Sequence, residues 1–237
     1  MDIVNQFEAR SFPGPVDLAY RLHVPPALSA KPGWPLIVFF HGSGERGTDN
    51  ESQLRYGVSR FVAPGADNPG ALVMAPQCPR VDLEGRGLSW LGPWETRFEP
   101  VANSSQILIS VMQAVDVLAT EYPVDMNRLY LAGISMGAFA TWYLLSSLPD
   151  VFAAAIPVCG GGQPEFASKI KHVPIWAFHG AQDNVVPVRW TRDIIQAIRT
   201  AGGTPRYTEY PDAGHDAWTP AFAEPELLQW LFQQKRA

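Results

Sequence analysis

Cysteine is scarce in this chain: two residues among 237, Cys78 and Cys159. Two thiols in a chain this long are not a disulfide framework. Each closes an apolar run (ALVMAPQC and AAAIPVC), where a cysteine serves as a small buried hydrophobe. Long apolar stretches are also missing. None approaches the roughly 18 residues that a membrane-spanning helix needs. The opening MDIVNQFEAR has no basic region followed by an apolar core, so no secretory signal is expected and the expected location is cytoplasmic. Positive charge is short as well. Eighteen lysines and arginines face 23 aspartates and glutamates, a formal charge of −5. Such a chain has no overall attraction for nucleic acid or anionic membranes, and neither is an expected partner. No cluster of Cys and His has metal-ligand spacing, and no G-x-x-x-x-G-K-[ST] phosphate loop occurs. No metal or cofactor is expected. There is no internal repeat, charge block or serine-rich linker.

Glycine and proline are plentiful. Twenty glycines and 22 prolines make 42 of 237 residues, about 18% against about 12% on average. Hydrophobic residues are 46% and charged ones 17%, which excludes a disordered chain. The pattern is a globular protein with many turns.

Strand-like runs fall at residues 6–12, 17–24, 36–40, 71–75, 129–132, 153–158, 175–178 and 205–210. The first two are half-buried and read as an antiparallel pair. LIVFF at 36–40 is a continuous apolar run, as in a strand covered on both faces. Helical spacing appears at 103–122, with apolar Ile107, Val111, Ala114, Val115 and Leu118. Further helices are expected at 136–148, 188–201 and 224–234. Strands alternating with helices predict an α/β fold. We expect a mostly parallel central sheet of about eight strands with helices on both faces, as one domain over residues 1–237. Residues 42–70 and 79–100 fit neither element and follow the carboxyl ends of strands, the edge where ligands bind in open parallel sheets.

Gly133-Ile134-Ser135-Met136-Gly137 spells G-x-S-x-G. The motif alone is weak, but here it follows a strand (LYLA) and precedes a helix (AFATWYLLSSL), the context a nucleophile elbow requires. Side chains at the two glycine positions would collide with neighbouring backbone. Ser135 is therefore the candidate nucleophile rather than a helix cap. A hydroxyl needs a base. His215, in Asp212-Ala213-Gly214-His215-Asp216, lies in a loop after the last strand and is the candidate. His41 and His179 each end a strand in a His-Gly pair and are given structural roles, while His23 and His172 are structural or solvated. Asp183, after the strand at 175–178, is the candidate acid; its competing role is a helix N-cap. The order Ser135, Asp183, His215 is that of an α/β-hydrolase triad.

An oxyanion hole needs two backbone N–H groups. Met136, directly after the nucleophile, is one candidate. The other is Ser43 in His41-Gly42-Ser43-Gly44-Glu45-Arg46-Gly47, with Gly42 and Gly44 beside the substrate. Trp94 and Trp218 are candidate lining residues, as is Trp90, and each is equally compatible with the core. Glu45 and Arg46 are expected to pair and hold the loop.

HGSGERG, APQCP, Trp94, GISMGAFATW and GHDAW resemble the compact carboxylesterase and predicted-peptidase group of α/β-hydrolases. That group is similar to dienelactone-hydrolase-like proteins and feruloyl or polyester esterases. The likeness runs from about Leu36 to the C-terminus; Ala138 departs from the glycine often found after the elbow. It implies an α/β-hydrolase fold without a large lid domain, and a serine carboxylesterase acting on small to medium esters, a small-molecule substrate. A peptidase or amidase with the same triad, and a non-catalytic binding protein, are the alternatives. The oligomeric state is left open.

Overall fold

The computed structural model describes residues 2–26, 33–65, 68–80, 89–90 and 106–236. After a 3-10 turn (Ile3–Gln6) come β1 (Glu8–Phe12) and β2 (Leu18–His23), which pair antiparallel as expected. β3 (Trp34–Phe40) leads into a connection with two short 3-10 turns and the one-turn helix α1 (Ser59–Val62), then β4 (Leu72–Gln77). Strand–helix units follow: α2 (Gln106–Glu121), β5 (Val124–Ile134), α3 (Met136–Ser147), β6 (Ala154–Val158), α4 (Ala167–Ile170), β7 (Trp176–Gly180), α5 (Arg189–Thr200) and β8 (Arg206–Tyr210). The chain closes with α6 (Trp218–Ala223) and α7 (Leu227–Gln233).

The eight strands form one sheet in the order β1-β2-β4-β3-β5-β6-β7-β8. β2 runs antiparallel to β4, and every pairing from β4 to β8 is parallel. Strand side chains alternate between faces, and the sequence exploits that period of two. Leu36, Val38 and Phe40 of β3 pack with Leu129 and Leu131 of β5 on one face, where α2, α3, α4 and α5 cover them. Ile37 and Phe39 pack with Tyr130 and Ala132 on the other, under α1, α6 and α7. All seven residues of β3 are buried. A strand that is apolar at every position has no solvent face to offer, which forces it to the middle of the sheet.

The expected elements are all present, with shifted ends. The closing helix begins three residues later than expected, because Pro225 stands just before its first turn, a place where proline fits. α6 was hidden by Pro220 within its six residues. From β6 to β7 the chain makes only a 3-10 turn (Pro164–Phe166) and α4, so no separate lid domain stands there. No helix of the described residues is long and apolar enough to cross a membrane. Cys78 and Cys159 are free and buried, and burial pushes each thiol up to about 12.

Candidate active site

Ser135 sits between β5 and α3 with φ 51° and ψ −118°. That backbone is in a region L-residues rarely occupy, costing on the order of 1–3 kcal/mol. Two glycines make the turn possible. A Cβ on Gly133 would lie 2.3 Å from Gly137 O, and one on Gly137 would lie 2.1 Å from Phe40 O. Both obstacles are backbone, which cannot swing aside. The Ser135 N–H donates to Val158 O at 2.9 Å, tying the turn to β6.

Asp183 lies in the turn after β7. Its Oδ1 accepts from the N–H groups of Val185 and Val186, both at 2.9 Å. This is a side-chain cap of its own turn; α5 begins later, at Arg189, and has no side-chain cap. Its Oδ2 faces His215 Nδ1 at 2.7 Å, and His215 Nε2 faces Ser135 Oγ at 2.9 Å. Burial pushes the Asp183 carboxyl up, but hydrogen bonds from His215, Val186 and Val185 outweigh it and hold the pKa below its ordinary value. The Asp183 side chain has no solvent exposure, Ser135 is buried and His215 is 19% exposed, so the histidine is the most open member of the chain of bonds. The two loops are held in register by their backbones. Ala181 N–H donates to Tyr210 O and Gln182 N–H to Ala213 O. A Cβ on Gly180 would lie 2.1 Å from Gly214 O, so only glycine lets the histidine loop close down on β7.

The loop after β3 is fixed by His41. Cys78 N–H donates to its Nε2 at 2.9 Å, which puts the proton on Nδ1, and Nδ1 donates to Gly42 O at 2.6 Å. Burial pushes its pKa down to about 4, so the ring is neutral at pH 7. Trp90 is fully buried and donates from Nε1 to His41 O at 3.1 Å. It belongs to the core and props the loop from below. Gly42 faces Ser135: a Cβ there would lie 3.7 Å from Ser135 Cβ and 3.0 Å from Glu45 Oε2. The expected Glu45–Arg46 pair does not form. Arg46 Nε donates to Ser43 O at 3.0 Å, while the Glu45 carboxyl turns back toward Gly42. Adjacent residues in a tight 3-10 turn point apart, which keeps the two charges from meeting. Residues 42–47 also spell G-x-G-x-x-G, but the three-residue turn Ser43–Glu45 follows β3, not a helix. The phosphate-binding context is missing.

Trp218 meets the His215 ring edge-on at 5.5 Å, and Tyr56, 40% exposed, lies 5.8 Å beyond it. Trp94 lies outside the described residues. The remaining histidines are accounted for. His23 Nδ1 meets Gln6 O at 2.8 Å, and His172, 53% exposed, lies 3.2 Å from Asp150. His179 reaches the turn that carries Asp183. Its Nε2 lies 3.1 Å from Asp183 Oδ2. The only hint in the sequence was a spacing of four residues in HGAQD. Cys159, His179 and Asp183 bring donor atoms within 4.8 Å of one another, a set that could hold an ion. The Asp183 and His179 atoms concerned are taken up by hydrogen bonds.

The chain is similar to several known proteins. A poly(3-hydroxyalkanoate) depolymerase of Paucimonas lemoignei is 29% identical over 62% of this chain and 32% of its own length. A bifunctional acetylxylan esterase/xylanase of Neocallimastix patriciarum is 26% identical over 81% of this chain and 26% of its own. The chain thus spans about a third or less of these curated relatives. The crystal structure of a thermostable esterase superposes with a TM-score of 0.89 at 38% identity, covering 99% of this chain and 64% of that one. Residues 94–226 match the dienelactone hydrolase family model. That stretch is more than half of the protein and carries the serine elbow, the acid turn and the histidine loop, and by it the chain belongs to the dienelactone hydrolase family.

Proposed function

We propose that the protein is a serine esterase that cleaves small to medium carboxylic esters through an acyl-enzyme on Ser135. The observation that carries this reading is the unbroken chain from Ser135 Oγ through His215 to Asp183 Oδ2, at 2.9 and 2.7 Å. Ser135 Oγ attacks the ester carbonyl carbon while its proton passes to His215 Nε2. The carbonyl oxygen gains negative charge. The C–O bond to the alcohol then breaks, and the same proton goes from Nε2 to the departing oxygen. Water repeats the sequence on the acyl-enzyme and releases the acid. Asp183 accepts the Nδ1–H throughout and stabilises the imidazolium.

Met136 and Ser43 supply the N–H groups for the oxyanion. Met136 is the first residue of α3 and Ser43 the first of its turn, so neither N–H has a partner within its own element. The Glu45 carboxyl lies against Gly42, 3.0 Å from where a Cβ would stand, which favours Ser43 over that neighbour. Trp218, with its ring against His215, lines the leaving-group side. One of the relatives above is named an acetylxylan esterase and the solved neighbour an esterase; the bond we assign to this chain is likewise an ester. We read residues 1–237 as one domain.

A fluorophosphonate probe should label the protein at Ser135, and Ser135→Ala should abolish both labelling and hydrolysis of p-nitrophenyl esters. A folded sample that takes no label would end the catalytic reading. Faster turnover of aminoacyl anilides than of esters would replace the esterase by an amidase.

A further inference from the structure

His179 lies one residue before the end of β7 and its side chain is fully buried. We propose that it is a positioning residue for the acid, fixing Asp183 Oδ2 toward His215; this rests on the triad assigned above. Two atoms face its Nε2, Asp183 Oδ2 at 3.1 Å and Val186 O at 3.0 Å. Both are acceptors, so Nε2 must carry a proton. Asp183 therefore receives four N–H groups: His215 and His179 on Oδ2, Val185 and Val186 on Oδ1. The two backbone donors come from the acid's own turn and move with it. His179 comes from β7, a strand of the sheet paired on both sides, between β6 and the edge strand β8. It is the donor that references the carboxylate to the rigid frame.

The far side of the ring is anchored as well. Nδ1 lies 2.7 Å from Thr191 Oγ1 in α5, and that hydroxyl lies 2.6 Å from Gly160 O beyond β6. Thr191 has one proton for two takers. With His179 neutral, which burial favours, the hydroxyl serves either the ring or the carbonyl. Around the ring stand Asp183 and His215 from their loops, Thr191 from α5, Cys159 from the end of β6 and Glu209 from β8. The Nε2–H contact spreads Asp183's charge over two imidazoles. Removing it should leave the carboxylate less well aimed and more basic, so that His215 holds its proton to higher pH.

Two substitutions separate positioning from packing. Gln places an amide nitrogen near Nε2 and can still donate to Asp183. Asn reaches only as far as Nδ1 and cannot. His179→Asn should lower kcat on a p-nitrophenyl ester roughly 10- to 100-fold, the range for one hydrogen bond to a charged group. KM should be unchanged, and the acid limb of the pH–rate profile should move to higher pH. His179→Gln should recover most of the loss. Thr191→Val, which removes the second anchor, should shift kcat and the acid limb in the same directions by less, and it serves alone if His179→Asn does not fold. Equal losses in Asn and Gln variants, or an unmoved acid limb in folded His179→Asn or Thr191→Val, overturn the proposal. Ser135→Ala run alongside keeps the two readings apart. If it retains activity, the triad itself is wrong; if it is dead while His179→Asn is unaffected, only the role of His179 falls.

Discussion

Asp183→Asn changes one atom and tests the whole hydrogen-bond chain. The backbone decides which way the new amide turns. Val185 and Val186 donate to Oδ1, both at 2.9 Å, so the amide oxygen must stay beneath them. The amide nitrogen then takes the place of Oδ2, which now accepts from His215 Nδ1 at 2.7 Å and His179 Nε2 at 3.1 Å. Three donors would meet with no acceptor. The cheapest escape for His215 is to move its proton from Nδ1 to Nε2 and accept from the asparagine. An Nε2 that already bears a proton cannot take one from Ser135. Two charge-assisted bonds are lost at roughly 1.5–3 kcal/mol each. The barrier should rise by about 4–5.5 kcal/mol, three to four decades in kcat, as expected when an acid-to-amide change imposes the wrong tautomer. The assay is steady-state hydrolysis of a p-nitrophenyl ester near pH 8, with a urea melt to show that the variant is folded. The donor clash at buried His179 should cost about 1–3 kcal/mol of stability. A folded Asp183→Asn enzyme within tenfold of the parent would refute the assignment of the acid.

Other consequences are checked more simply. Burial lowers the His41 pKa from 6.5 to about 4. The unfolded chain binds that proton below about pH 6.5 and the folded chain does not. Stability is therefore full above 6.5 and falls as the pH drops toward 4, by about 3 kcal/mol in all; urea melts across this range should show the slope in the parent and lose that part in His41→Asn. Gly137→Ala drives a methyl to 2.1 Å from Phe40 O and should lower both the melting temperature and kcat. Gly44→Ala meets nothing within 4 Å and should leave the melting temperature within about a degree, its stability change staying within about 0.5 kcal/mol. Trp218→Ala removes the ring beside His215 and should raise KM for aryl esters more than for ethyl esters; an equal rise for both would place the leaving group elsewhere.

The sheet was legible because its signal is collective. A strand such as LIVFF, apolar at every position, fits only the middle of a covered sheet, and β3 is there with all seven residues buried. Helix ends depend on single residues, and there the sequence misled. Pro225 shortened the closing helix, and α6 did not register at all. The tryptophans were equally opaque, because a large indole reads the same in a core as in a cleft. Trp90 is fully buried under the loop at His41, while Trp218 lies against the ring of His215. Glu45 and Arg46 look like partners in sequence, yet their turn directs them to Gly42 and Ser43.

Ser135 and His179 show why one part of a site announces itself and another does not. The serine's unusual backbone conformation has to be permitted by its neighbours. A Cβ at either Gly133 or Gly137 would strike main chain within 2.3 Å, and no rotamer change relieves such a contact. Steric exclusion therefore writes itself into the sequence as two glycines at fixed offsets, legible in the residue order alone. His179 is under no such restriction. What distinguishes a histidine there is which of its nitrogens meets Asp183 Oδ2, and that depends on how the turn from Gly180 to Val186 closes. Hydrogen-bond direction leaves no spacing rule behind it in a turn, as it does in a helix, so the histidine nearest the acid in sequence looked like a strand-end residue and nothing more. A motif search will find the groups whose placement is sterically costly; the groups that aim them are found only once the donors and acceptors have been counted.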